Sequence, residues 1–230
     1  MCTNALLLDQ RVFGVIPPHR RLSINVHLDG LRETHDKVCD REGVFDKAIE
    51  MIVEAKRRGY HVMINTTVFR ETDVDEVEEL CKRAKDLGVD GMLLSPGYHY
   101  SSVDREIFLT RGEIHDKFTR ILGFAKRYRL ASTPQFLEFA AGRRDYQCSP
   151  WSTVTYTPRG WKAPCYLIGQ NYIESWSEFW NETDWDYWES RRDPRCQNCA
   201  MHSGFEASVV VEARRKPLEM ARLTAWNLLG

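Results

Sequence analysis

No stretch of this sequence approaches the roughly 20 apolar residues that a membrane-spanning helix needs. A surplus of either charge is missing too. Its 32 Lys and Arg offset 33 Asp and Glu to leave a formal charge of -1, which argues against a broad basic footprint for nucleic acid, though not against a local patch. The opening MCTNALLLDQRVFGVIPPHRR has only a short ALLL run and no small-residue cleavage signal, so a secretory leader is not supported. Low-complexity tracts are absent. These absences predict a cytoplasmic protein without a nucleic-acid partner. Hydrophobic residues at 43% and charged residues at 28% allow a packed core. The 230 residues suit one large domain, or one domain with a small appendage.

Two residue types are unevenly placed. Four of the seven cysteines fall between 148 and 199, and six of the seven tryptophans between 151 and 188. Before that segment the chain alternates strand and helix patterns. LSINVHL (22–28) ends in the turn pair Asp29-Gly30, YHVMINTTVF (60–69) is rich in β-branched and aromatic residues, and VDGMLLS (89–95) stops at Pro96-Gly97. Between them, Val44, Ala48, Met51, Ile52 and Ala55 recur at helical spacing within 43–59, and Val74, Val77, Leu80, Cys81, Ala84 and Leu87 within 73–88. Thr72 is the expected cap of the second helix, with Asp75 near the capping-box position. Further helices are expected over 111–128 and 133–142. The tail from Glu206 to Leu229 reads as helix interrupted at Pro217. Strands alternating with helices of this length predict an α/β fold with a parallel sheet. The change of character after Gly142-Arg143-Arg144 predicts a boundary at 144/145, with 1–144 as the α/β part and 145–230 as a Cys/Trp-rich domain ending in a helix.

Ligands of parallel α/β sheets bind at the carboxyl ends of the strands. Four predicted ends carry polar side chains: Cys2, Thr3 and Asn4; His27 and Asp29; Asn65, Thr66 and Thr67; Ser95, Tyr98 and His99. Together they could hold a polar ligand with hydroxyl and amino groups. Asp-Gly, Asn and Thr at strand ends are also ordinary turn and capping residues.

The order of motifs adds to this. HLDG (27–30), His35-Asp36 and REGVFDKAI (41–49) resemble the middle of a radical SAM domain, in the branch with a cysteine-rich tail. CTN (2–4) resembles the third-strand end of that barrel. The resemblance implies the carboxy-terminal part of a partial radical SAM (βα) barrel. It also implies contacts to S-adenosylmethionine (SAM) from Asn4, His27, Asp29, Asn65, Thr67 and Ser95. His27 stands where the branch usually has Ser. Cys39 stands where it often has the Arg that meets the SAM carboxylate, and this leaves Arg41 as the substitute.

Cys148, Cys165, Cys196 and Cys199 supply four thiols, the last two as CxxC, a set that suits tetrahedral zinc or an iron–sulfur cluster. A loop-rich segment with little core of its own gains from a metal staple. Disulfides or free thiols are the alternatives, disulfides being disfavoured in a reducing compartment. The run Cys148…Gly160-x-x-x-x-Cys165 resembles the opening of SPASM or twitch domains, which hold an auxiliary 4Fe-4S cluster. One such cluster at most is implied, with zinc as the alternative. Trp151, Trp161, Trp176, Trp180, Trp185 and Trp188 read either as core of this small domain or as a wall facing a hydrocarbon.

Across the chain, CTNALLL, HLDG, REGVFD and the tail from YQCSPW to CQNCAMHSGFE, including RGWKAPCYL, resemble the hopanoid-associated radical SAM family that makes adenosylhopane. That resemblance implies addition of a 5′-deoxyadenosyl radical to the terminal alkene of diploptene. The tertiary radical so formed needs a hydrogen atom, and Cys2 is the candidate donor, the plain alternative being a small residue beside a strand. The implied partners are a hopene-type hydrocarbon and a reductase such as flavodoxin or ferredoxin, with membrane association at most peripheral. The CxxxCxxC triplet that holds the catalytic cluster in radical SAM enzymes does not occur in these residues. The expectation is therefore of an amino-terminally truncated chain, inactive alone. Alternatives are a different radical SAM enzyme acting on another lipid or a peptide, and a non-catalytic metal- or cluster-binding module that docks a partner.

Overall fold

The computed structural model describes every residue except 101, 102, 104, 105, 129, 169, 170 and 230. Its contacts divide into two compact units. One holds residues 1–95 and 120–132, the other residues 96–119 and 133–229.

The first unit is built on a four-stranded sheet in the order β1 (Cys2–Thr3), β2 (Ser23–His27), β3 (His61–Val68) and β4 (Gly91–Pro96), with β1–β2 and β2–β3 parallel. Leu130 pairs in parallel with Met92 beyond β4. Along β2 and β3 every second residue is buried, namely Ile24 and Val26, then Val62, Ile64, Thr66 and Val68. That alternation is the period of a strand with unlike faces. The short helices α1 (Leu8–Arg11) and α2 (Arg32–Val38) and the longer α3 (Val44–Arg57) and α4 (Val74–Asp86) complete the βα pattern.

Helix α3 buries Val44, Phe45, Ala48, Met51, Ile52 and Ala55, which extends the predicted stripe by Phe45. Its amino-terminal donors are satisfied from a distance, because the Asp36 carboxylate accepts the Gly43 N–H at 2.7 Å and the Phe45 N–H at 2.8 Å. The cap of α4 is Asp73, which accepts the Asp75 N–H at 2.9 Å, and not the expected Thr72. Thr72 Oγ1 instead accepts the Phe69 N–H at 2.8 Å, and so closes the turn one residue earlier.

The second unit has a small antiparallel sheet of β5 (Tyr156–Thr157), β6 (Gly160–Ala163) and β7 (Asn171–Ile173). Gly160 has φ +116°, and a Cβ on it would lie 2.5 Å from the Ile173 carbonyl oxygen, so the crossing of β6 and β7 requires glycine. Helix α5 (Arg111–Phe124) begins in this unit. It is followed by α6 (Pro134–Ala140), α7 (Trp176–Asn181), α8 (Trp185–Glu189), α9 (His202–Ala213) and α10 (Pro217–Leu229). The helical tail breaks before Pro217, as its ring predicts. The core centres on Phe136, Phe139, Phe205 and Val209, with Phe139 and Phe205 stacked at 4.2 Å.

A boundary at 144/145 does not coincide with these units, because α6 packs with the tail. Nearly all of α6 is buried. Thr133, its cap, is held by Glu206 of α9 at 2.8 Å, and Glu138 meets Arg222 of α10 at 2.5 Å. An apolar seven-residue helix covers its sides best against two other helices, and no composition shift marks where that begins.

Candidate functional site

The register of the first unit builds a polar face from predicted and unpredicted residues. Cys2 lies opposite Asn25 and Asn25 opposite Met63, while His27 lies opposite Asn65 one row further on. Alternation puts both rows on the face that Ile24, Val26, Val62 and Ile64 do not occupy, and Thr67 continues it along β3. Cys2 is exposed, and Asn25, His27, Asn65 and Thr67 are half-buried.

Asp29, just past β2, is almost fully buried and ties the strand ends together. Its Oδ1 accepts from His27 Nε2 at 2.7 Å and from the Thr67 N–H at 2.8 Å. Its own N–H donates to His35 Nδ1 at 3.2 Å. A carboxylate can only accept, so His27 carries its proton on Nε2. The Asp29 hydrogen bond, working against burial, raises the His27 pKa. His35 accepts on Nδ1, so its neutral ring holds the proton on Nε2, 3.5 Å from Cys39 Sγ, and burial lowers its pKa.

Two side-chain oxygens here are buried without a partner, Asn25 Oδ1 and Asp29 Oδ2. A buried polar atom normally finds a partner, so this pair marks where a ligand donor would be received. Asn25 is absent from the sequence reading because it precedes the HLDG motif. Period-two spacing back from His27 was the available signal.

Ser95 is buried at the end of β4. Asn4 and Arg41 are not on the polar face rows. They line a groove of their own with Gln10, Gly43 and Lys47, where Asn4 Oδ1 accepts the Leu6 N–H at 3.3 Å as a turn residue.

In the second unit Cys148, Cys165, Cys196 and Cys199 line one cavity with Tyr98 and Trp188. All seven cysteines of the chain are free thiols. Burial raises the pKa of all four, and their nearness to one another adds to the rise at Cys148, Cys196 and Cys199. Gly204 backs the cavity so closely that a Cβ would stand 2.9 Å from Cys148 Sγ. Arg191 also lines it, and Arg111 Nη1 donates to the Cys199 carbonyl at 3.0 Å. No His, Asp or Glu is among the described residues lining the cavity, so the donor set is purely thiol. Also among the described residues, no three His, Cys, Asp or Glu side chains are set to grip a single metal ion.

The six tryptophans between 151 and 188 are half-buried or exposed, and Trp161, Trp176 and Trp185 pack on the buried Phe179.

The parallel α/β fold resembles that of radical SAM enzymes. It matches Streptococcus suis SuiB with a TM-score of 0.60 at 14% identity, over 85% of this chain and 49% of SuiB. SuiB bound to S-adenosylmethionine matches with a TM-score of 0.56 at 15% identity, over 85% of this chain and 48% of the other. In sequence the chain is 25% identical to the GTP 3',8-cyclase of Clostridium perfringens (strain 13 / Type A) over 179 residues, 72% of this chain and 54% of that protein. The corresponding protein of Thermodesulfovibrio yellowstonii is 24% identical over 178 residues, again 72% of this chain and 55% of that protein. The chain thus spans about half the length of the curated relatives it matches. These likenesses support the radical SAM superfamily as its class. Within that class the chain belongs to the family described as domain of unknown function DUF3463, whose profile matches residues 92–223, more than half of the sequence. Among the described residues, no helix is long and apolar enough to cross a membrane.

Proposed function

We propose that this chain supplies the SAM- and substrate-facing later strands, together with a cluster-binding carboxy-terminal unit, of a radical SAM enzyme. In this reading the enzyme adds a 5′-deoxyadenosyl group to a hopene such as diploptene. The observation that carries it is the polar sheet face, where Asn25 Oδ1 and Asp29 Oδ2 are buried without partners in rows that also hold Cys2, His27 and Asn65. Bound SAM supplies the deoxyadenosyl group once it is reductively cleaved, and the CxxxCxxC motif which that cleavage needs is not among these residues. Asn65, Thr67, Asp29 and Ser95 are the residues proposed to hold SAM, with His27 as a donor whose ring Asp29 orients and whose pKa it raises. Asn4 and Arg41, in their separate groove, are proposed to reach only an extended part of the ligand.

Addition of a carbon radical to a terminal alkene leaves a radical on the more substituted carbon, which is quenched by a hydrogen atom. A thiol S–H is weak enough to give one, and Cys2 is exposed at the edge of the polar face. We assign that donation to Cys2, whose S–H bond breaks to leave a thiyl radical that one electron from the reductase and one proton from solvent return to the thiol. The four-thiol cavity is proposed to hold an auxiliary 4Fe-4S cluster in a SPASM- or twitch-like unit. Zinc bound by the same four thiolates is the alternative. A flavodoxin- or ferredoxin-type reductase and an apolar substrate are the implied partners, with the protein in the cytoplasm or peripheral to the inner membrane.

The test is product analysis. The complete gene product, reconstituted anaerobically and given SAM, a reductase and diploptene, is expected to form adenosylhopane, detected by mass spectrometry. In the Cys2→Ala variant the adduct falls while 5′-deoxyadenosine release persists. 5′-Deoxyadenosine with no hopanoid adduct from the unaltered protein would sink the substrate assignment. Undiminished adduct in Cys2→Ala would reject the donor.

A further inference from the structure

Away from the cysteine cavity, the second unit carries a row of aromatic rings. Successive centroids from Tyr156 to Trp161, Trp176, Trp180 and Trp185 are 4.8, 5.0, 5.9 and 5.7 Å apart. Beneath them Phe179 is buried, but Tyr156 is 64%, Trp176 48% and Trp180 45% exposed. Contiguous exposed aromatic surface of this kind marks an interaction site more often than a packing residue.

The charge around the ladder identifies its occupant. From 174 to 189 the chain has Glu174, Glu178, Glu182, Asp184, Asp186 and Glu189, with no lysine or arginine. Two of these are used internally, since Asp184 accepts the Tyr187 N–H at 3.0 Å and Glu189 accepts Trp151 Nε1 at 2.7 Å. Among the described residues the carboxylates of Glu174, Glu178, Glu182 and Asp186 make neither an ion pair nor a hydrogen bond. The rest of the unit already uses cations on rings. Arg159 lies 5.6 Å over Tyr172, Arg192 5.4 Å over Tyr187 and Arg195 5.5 Å over Trp188. No described cation lies over any of the five ladder rings.

A bare π-face beside unpaired carboxylates attracts cations, and guanidinium above all, which stacks flat on a ring and forks to a carboxylate at once. The same carboxylates repel an anionic lipid surface, and a purely hydrocarbon partner leaves their presence unexplained. We propose that the ladder formed by β5, β6, α7 and α8 is a docking surface for an arginine-rich segment of a partner protein. The guanidinium groups lie on Trp176 and Trp180 and pair with Glu174, Glu178, Glu182 and Asp186. This surface is independent of the enzymatic reading above.

Fluorescence anisotropy of a labelled peptide alternating Arg and Ala, titrated with the intact protein, tests it. The arginine peptide is expected to bind, a Lys–Ala peptide to bind more weakly, and a Glu–Ala peptide not to bind, with added salt weakening the first two. Trp176→Ala with Trp180→Ala is expected to weaken arginine-peptide binding about ten-fold or more. The triple change Glu174→Gln, Glu182→Gln and Asp186→Asn leaves every ring in place. It is expected to weaken binding as well and to flatten its salt dependence, so a folding defect of the tryptophan variant does not leave the surface unexamined. Equal binding by the triple variant would overturn the proposal. So would binding to phosphatidylcholine vesicles in place of the peptide, or self-association of the chain that the tryptophan changes abolish.

Discussion

At the scale of single residues, Asp29 and Glu206 show opposite uses of a buried carboxyl. Asp29 accepts a hydrogen bond from His27 and raises its pKa. Replacing Asp29 with Asn keeps an acceptor for the Thr67 N–H but removes the charge that raises the His27 pKa. A histidine NMR titration is expected to place the His27 midpoint above the ordinary value of about 6.5 in the natural chain, and lower in Asp29→Asn. An unmoved midpoint would refute the coupling. Glu206 is the reverse case, where burial outweighs two hydrogen bonds from Thr133 and pushes its pKa up to about 7. Between the unfolded value of 4.5 and about 7 the folded state binds the extra proton, so stability falls as pH rises through that window and levels off above it. Glu206→Gln keeps an acceptor for Thr133 and removes the titration. It is expected to flatten the profile and to be more stable than the natural chain above pH 7 by roughly 1–3 kcal/mol in urea unfolding. His27 and Asp29 were legible because a short motif surrounds them. Asn25 and Glu206 were not, since what distinguishes each is a burial and a partner set that only the fold creates.

At the scale of elements, the long ones were readable and the short ones were not. The stripes of α3 and α4 run over three turns and more, enough for apolar spacing to stand out; β2 and β3 fall inside the predicted strands, and β4 runs one residue past its predicted end, to Pro96. Strands β5, β6 and β7 have two to four residues each, too few for any alternation to register. One residue carries their geometry. Gly160→Ala would bring a methyl group against the Ile173 carbonyl at a φ that L-residues avoid. It is expected to cost about 2 kcal/mol or more, read as a lowered melting temperature. Gly112→Ala is the contrasting control, with nothing within 4 Å of the added Cβ. Asp36 is the equivalent point in the first unit. Its carboxylate serves two amide donors at the start of α3 and is held below its ordinary pKa by them. Asp36→Ala is expected to lower the urea midpoint at neutral pH, with the difference from the natural chain shrinking as acid protonates Asp36. The His35-Asp36 motif is thus partly a capping device, which its resemblance to a cofactor motif concealed.

At the scale of the whole molecule, the four cysteines were found by spacing alone and the structure gathers them at one cavity, although 30 residues separate Cys165 from Cys196. Spacing could not say which group they serve, because zinc and iron–sulfur clusters accept the same thiolates. Iron and sulfide uptake separates the two, since only a cluster brings both. The thiols are also held protonated by burial and by each other, so binding must displace their protons and will weaken as pH falls. Anaerobic reconstitution with iron and sulfide is expected to give a brown chain with a broad band at about 400 nm. Cys148→Ser, Cys165→Ser, Cys196→Ser and Cys199→Ser should each lose most of it, while Cys81→Ser, outside the cavity, keeps it. Gly204→Val pushes a side chain at Cys148 Sγ and is expected to lose the band without any ligand being removed. Stoichiometric zinc with no iron uptake would assign the cavity to a structural ion.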